Sequence, residues 1–123
     1  MKIRITELDR LFSLYIRTRD GWQCQRCFKQ FTPPTNGLHC SHIFSRARKA
    51  TRFALENCIS WCYGCHSYMD RTPEAKYAWY IKKFGQTRFD RLRLRANIGG
   101  KPDYAMIRIW LNEALKQMGV YYE

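Results

Sequence analysis

Apolar side chains recur along this chain at two periods, and the periods divide it into elements. Leu8, Leu11, Phe12, Tyr15 and Ile16 keep the three-and-four-residue spacing of a helix with one buried face. Thr6, with Asp9 three positions on, predicts where that helix starts, and Asp20-Gly21 where it fades. Tyr77, Tyr80, Ile81 and Phe84 mark a second helical face, opened by Thr72-Pro73-Glu74 and stopped by Gly85. A short basic helix over Thr87 to Ala96 turns Phe89 and Leu92 inward. After a break at Asn97-Ile-Gly-Gly-Lys-Pro102, Asp103 caps a last helix. Its core stripe is Ile107, Trp110, Leu111, Ala114, Leu115 and Met118, ended by Gly119. In the middle of the chain, Leu38 to Phe44 and Asn57 to Trp61 read as short strands, joined by a loop from Ser45 to Glu56. A helix or turn follows Cys62 and runs through Tyr68. The expected class is α+β: a small ββα centre at about 22–70, with helices at 72–119.

Length and composition narrow the picture. The 123 residues predict a single domain, 1–123. A 46% hydrophobic share with 15% aromatics supports a modest core and argues against disorder. Lys and Arg number 22 against 10 Asp and Glu, a formal +12. Self-repulsion on that scale is relieved by a polyanion, so nucleic acid or an anionic membrane surface is the expected partner class. The longest stretch without a charged side chain, Gln30 to Ser45, is interrupted by Pro33, Pro34, Gly37 and two histidines. No spanning helix is therefore expected. Met1 to Glu7 lacks the apolar block and small-residue cleavage site of a signal peptide, which predicts the cytoplasm.

Disulfides are rare in that compartment, so six cysteines need another explanation. Four form two Cys-x-x-Cys pairs, Cys24/Cys27 and Cys62/Cys65, where random placement gives roughly 0.24 such pairs. A tight turn aims both thiolates of a pair at one point, and two such turns complete a tetrahedral zinc shell. Four sulfurs leave no open position, so this Zn2+ is expected to be structural. Redox or disulfide readings suit less well: one pair would suffice for redox work, and no βαβ pattern surrounds either. Cys40 and Cys58 match no ligand spacing and are expected as buried small hydrophobes.

The three histidines are His39, His42 and His66. Fourteen residues separate His42 from Asn57, and eight more separate Asn57 from His66, just behind the second cysteine pair. This His42…Asn57…His66 spacing, with the two cysteine pairs around it, resembles the signature of HNH endonucleases. Leu38-His-Cys-Ser-His-Ile-Phe-Ser-Arg46, Thr51-Arg-Phe53, Asn57 and Cys62-x-x-Cys65 look most similar to the NinG (Rap) group of phage recombination nucleases. So do the flanks Leu8-Asp-Arg-Leu-Phe12 and Phe89-Asp-Arg-Leu92, and the likeness covers roughly residues 6 to 96. The resemblance implies a ββα-metal (His-Me finger) core in which His42 activates water and His66 binds a catalytic Mg2+ or Mn2+. It also implies that Asn57 braces the loop between the strands. Arg46 could pair with the phosphate, as a bidentate donor can. One position departs from the family: Ser41 stands where Asp or His commonly supplies a second metal ligand. Either His66 holds the ion with waters, or His39 joins it from the same strand, with Ser41 beside the metal. Taken singly, each histidine is more often a hydrogen-bonded structural group; the coincidence of spacings is what favours chemistry.

Basic residues flank the proposed site. Arg46, Arg48, Lys49 and Arg52 lie in the loop; Lys82, Lys83, Arg88, Arg91 and Arg95 follow it. They are expected to hold DNA through its phosphates, which position without reading sequence; a merely solvated charged face is the alternative for the later cluster. Trp79 is the expected exposed stacking side chain. No sequence-reading helix is evident, so weakly specific or structure-selective cleavage of branched or junction DNA is expected. A junction enzyme would need two sites, and Met106 and Ile109 offer apolar positions for a homodimer. The competing readings are a catalytically silent zinc-finger-type DNA-binding module and a small partner-binding adaptor.

Overall fold

The computed structural model describes residues 4–120. Its described residues form a small α+β arrangement of six α-helices and one two-stranded antiparallel sheet. Helix α1, Glu7–Arg19, begins with a reciprocal cap: Asp9 N–H donates to Thr6 Oγ1 and Thr6 N–H to the Asp9 carboxylate. Strand β1, Leu38–His42, pairs with β2, Cys58–Cys62, so that His39 faces Trp61, Ser41 faces Ile59 and His42 faces Cys58. Between them lie the short helix α2, Lys49–Arg52, and a 3-10 turn at Leu55–Asn57. Helix α3, Tyr63–Arg71, starts directly at the end of β2, where the Cys62 sulfur accepts from Cys65 N–H as its N-cap. Then come α4, Pro73–Phe84, α5, Gln86–Ile98, and α6, Tyr104–Gln117. Asp103 caps α6 by accepting from Met106 N–H. Gly85 links α4 to α5 at φ 95°, a left-handed conformation that other side chains rarely adopt.

Alternation along the strands gives the sheet two apolar faces, and each is covered. Ile59 and Trp61 project into one cluster with Met69 of α3, Tyr80 of α4, and Phe89 and Leu92 of α5. Cys58 projects the other way, among Leu8, Leu11, Phe12 and Ile16 of α1 and Leu111 and Leu115 of α6. Trp61 is fully enclosed, and truncating a side chain of that size costs about 3–5 kcal/mol.

Three expectations need correction. The first strand ends at His42 rather than Phe44, because Asn57 takes over the pairing. Its carbonyl accepts from Ile43 N–H at 2.8 Å and its side-chain amide engages both backbone groups of Phe44. Trp79 is half-buried, set edge-on against Trp61 at 5.2 Å, and is no free stacking surface. In α6 the buried stripe is Leu111 and Leu115 only; Trp110 is 47% exposed and Met118 42%, because α1 meets this helix along a narrower seam.

Candidate metal centre and active-site cleft

The two cysteine pairs meet at one end of the sheet. Cys24 and Cys27 lie on the turn after α1; Cys62 ends β2 and Cys65 sits in the first turn of α3. All four sulfurs lie within 4.8 Å of one another, and Cys27 and Cys62 approach to 3.7 Å. About 3.8 Å separates neighbouring sulfurs around tetrahedral zinc with bonds of about 2.3 Å. Within each pair the later backbone N–H points at the earlier sulfur, Cys27 to Cys24 and Cys65 to Cys62, both at 3.5 Å. Burial pushes the Cys24 thiol up, but backbone hydrogen bonds from Cys27, Cys62 and Arg26 outweigh it and bring the thiol down to about 7. Burial pushes Cys65 up to about 12, against a hydrogen bond from Arg26. Four thiols cannot all ionise at one point alone, whereas a divalent cation makes that the favoured state. The group is placed to hold a metal ion such as zinc.

At the other end of the sheet a cleft of about 570 Å³ is lined by His42, Arg46, Arg48, His66, Asp70 and Lys76, among others. His42, the last residue of β1, donates from Nε2–H to the Arg52 carbonyl at 2.9 Å. A neutral imidazole carries one N–H, so Nδ1 keeps its lone pair. Burial lowers the His42 pKa to about 4, with the Arg46 charge adding to the effect, and the ring is neutral at pH 7.

The loop behind His42 is held from two sides. Asn57, fully buried, accepts from Phe44 N–H at 2.9 Å and donates to the carbonyls of Phe44 and Thr51 at 3.0 and 2.9 Å. On the other side, the Arg52 guanidinium donates to both carboxylate oxygens of Asp9, at 3.0 and 2.5 Å, and to the Arg4 carbonyl. Arg52 is thus committed to the interior and is withdrawn from the set expected to meet DNA.

His66 faces two partners through opposite nitrogens. Its Nδ1 lies 2.8 Å from Nδ1 of His39, and its Nε2 lies 3.0 Å from Asp70 Oδ2. His39 donates from Nε2–H to the Asn36 carbonyl, so its Nδ1 accepts and His66 Nδ1 donates. That turns the His66 Nε2 lone pair and the Asp70 carboxylate toward each other at 3.0 Å, two acceptors that a shared cation would satisfy. Burial lowers the pKa of His66, against the pull of Asp70. His39 therefore orients the ring, from the side away from Asp70. Ser41 is fully buried, its hydroxyl has no partner among the described residues, and it does not line the cleft. Asp70 is the cleft residue that sequence reasoning missed, although its four-residue spacing from His66 places both on one face of a helix. Lys76, one of the eight basic residues from Arg71 to Arg95, also lines the cleft; its ammonium reaches Asp70 at 3.4 Å and the His42 carbonyl at 3.5 Å.

The basic residues separate into free and engaged. Arg46 and Arg48 border the cleft, Arg48 donating to Asn97 at 2.7 Å; Lys49 is exposed at the start of α2. Lys82 and Lys83 are exposed on α4. Arg88 donates to the Tyr80 hydroxyl and lies over the Phe84 ring at 4.1 Å, which makes it largely a packing residue. Arg91 and Arg95 line a separate hollow on α5, where Arg95 lies 3.9 Å from Glu56. Among the described residues no helix is long and apolar enough to cross a membrane. No family model, no curated protein and no solved structure matches this chain.

Proposed function

We propose that the chain is a metal-dependent DNA endonuclease with an HNH-type core, its two strands and α3 forming the ββα unit and its four cysteines binding structural zinc. The observation that carries the reading is the shared cleft, which joins a neutral histidine, an imidazole–carboxylate pair and two arginines in one hollow. About 2.9 Å separates neighbouring ligands of an octahedral Mg2+ site, close to the 3.0 Å between His66 Nε2 and Asp70 Oδ2. His66 and Asp70 would hold the ion, with His39 fixing the ring from behind. When bound, a hard divalent ion supplies positive charge to the scissile phosphate and its departing oxygen.

The protein's own groups do the rest. His42 Nδ1 takes a proton from water while the Arg52 carbonyl keeps Nε2–H in place and stabilises the imidazolium that forms. A pKa of about 4 makes a weak base, and a phosphate anion entering the cleft raises it toward the working range. Arg46, with no ion pair among the described residues, is available to the phosphate. Lys76 and Arg48 add positive charge, which holds a phosphate backbone without reading its sequence and fits cleavage directed by DNA shape. A phage-type role in DNA recombination or processing, on branched DNA, belongs to this reading. The buried hydroxyl of Ser41 favours the second reading, a silent zinc-stapled DNA-binding module, since it withholds a ligand the family usually supplies.

Purified protein with Mg2+ or Mn2+ should cut supercoiled plasmid or a four-way junction, and His42→Ala should lower the rate by about 10²–10⁴, the usual worth of a general base. DNA retention without cutting under either ion would establish the silent module instead.

A further inference from the structure

Two cysteines stand outside the tetrahedral group, and they are not scattered. Cys40 and His42 are two residues apart on β1, so their side chains leave the same face of the sheet, and Cys58 sits directly opposite His42 on β2. The two sulfurs and a ring nitrogen of His42 lie within 4.8 Å of one another. Cys58 is buried and Cys40 is half-buried at the edge of a hollow of about 360 Å³ lined also by Asp9, Arg17 and Arg46. A path from solvent to the cluster therefore exists on the α1 side.

We propose that Cys40, His42 and Cys58 form a second metal site, selective for soft divalent ions such as Zn2+ or Cd2+, whose occupation takes the base out of use. The ligand chemistry sorts the ions. Two thiolates and one imidazole suit zinc or cadmium and offer no oxygen to Mg2+. Tetrahedral zinc holds S and N ligands about 3.6–3.8 Å apart, so the three atoms need to close by about 1.2 Å at most. As the ion enters, two thiol protons leave, and the resulting metal dithiolate is neutral, which suits the burial of Cys58. Burial and the neighbouring Cys40 hold the Cys58 thiol well above its ordinary range, against the smaller pull of Arg19 and Arg46, so the sulfur gives up its proton to an entering ion and not to solvent. A fourth position stays open to water from the hollow. His42 has one lone pair, on Nδ1, because Nε2–H is held by Arg52. A soft ion and the proton of a water molecule compete for it.

The inhibitory half rests on the nuclease reading; the binding half does not. Full-length protein carrying one zinc is given excess Cd2+, and native mass spectrometry counts ions per chain. Wild type should hold one ion more than Cys40→Ser, a difference that any ion at His66 and Asp70 leaves unchanged, with circular dichroism the same for both because Cys40 is only partly buried. In wild type, bound Cd2+ should also protect Cys40 from alkylation, a readout that needs no variant. Equal ion counts in wild type and Cys40→Ser, or a Cys40–Cys58 disulfide in place of the additional ion, would overturn the site. If the protein cuts DNA, Cd2+ in slight excess should slow wild type about a hundredfold through loss of its base and spare Cys40→Ser. Equal inhibition of both would overturn the inhibitory role. Absence of any cutting would count against the nuclease reading alone and leave the ion count standing.

Discussion

The two ends of one short sheet are held together by different chemistry. At the Leu38–Cys62 end, four sulfurs converge on one point. At the His42–Cys58 end, a single buried amide and a buried ion pair set the backbone. The sulfur end is non-directional until an ion arrives and then rigid; the amide end is directional from the start. Stability should therefore depend mainly on the first end, and the geometry of His42 mainly on the second.

The strongest way to break this contrast is at the sulfurs. Cys24→Ser, or removal of the metal by a chelator, should unfold the chain, since a structural zinc contributes on the order of 10 kcal/mol. Circular dichroism and near-ultraviolet signals from the enclosed Trp61 read this out, and a folded, metal-free protein would contradict it. Next comes the amide. Asn57→Ala leaves both the N–H and the carbonyl of Phe44 unpaired in the interior, which should cost about 4 kcal/mol in urea denaturation. On the nuclease reading, the rate of cutting should fall far more than the folded fraction does.

A third test uses pH. The folded state holds His42 at about 4, against an ordinary 6.5. Between those values the unfolded chain takes up a proton that the folded chain refuses, so stability should fall as pH drops from 6.5 toward 4. The loss is roughly 3 kcal/mol, and His42→Gln should flatten it when urea midpoints at about pH 7 and about pH 4.5 are compared. The smallest effect belongs to Asp9→Asn, which weakens the clamp on Arg52 and should cost about 2 kcal/mol. Because the Arg52 carbonyl holds His42, the nuclease reading requires this variant to lower the rate of cutting more than it weakens DNA retention.

Legibility in the sequence followed the same division. The caps at Thr6 and Asp103 and the Cys-x-x-Cys pairs are local signals, complete within four residues, and the structure carries them out. The Asp9–Arg52 pair spans 43 positions and was invisible, because no period links a helix cap to a distant loop. The grouping of Cys40 with Cys58 depends on strand register, which the crossing loop sets and neither strand announces. Asp70 was legible by spacing, yet a helix surface carries many acids at that spacing without a role. Trp79 and Trp110 exchanged their expected environments because amphipathic period locates a face but not how much of it a neighbour covers.

One feature governs how this molecule can change over generations. Cys62 is at once the last residue of β2 and the cap of α3, and no linker residue separates the sulfur site from the helix that carries His66. A residue inserted between Cys65 and His66 would leave both cysteine pairs intact but rotate His66 and Asp70 by about 100° about the helix axis, out of the cleft. The loop from Ser45 to Glu56 tolerates length change only outside its anchored points. Drift in this chain should therefore appear as substitutions around α3 and as insertions elsewhere, with the stretch from Cys62 to Asp70 conserved in length before it is conserved in sequence.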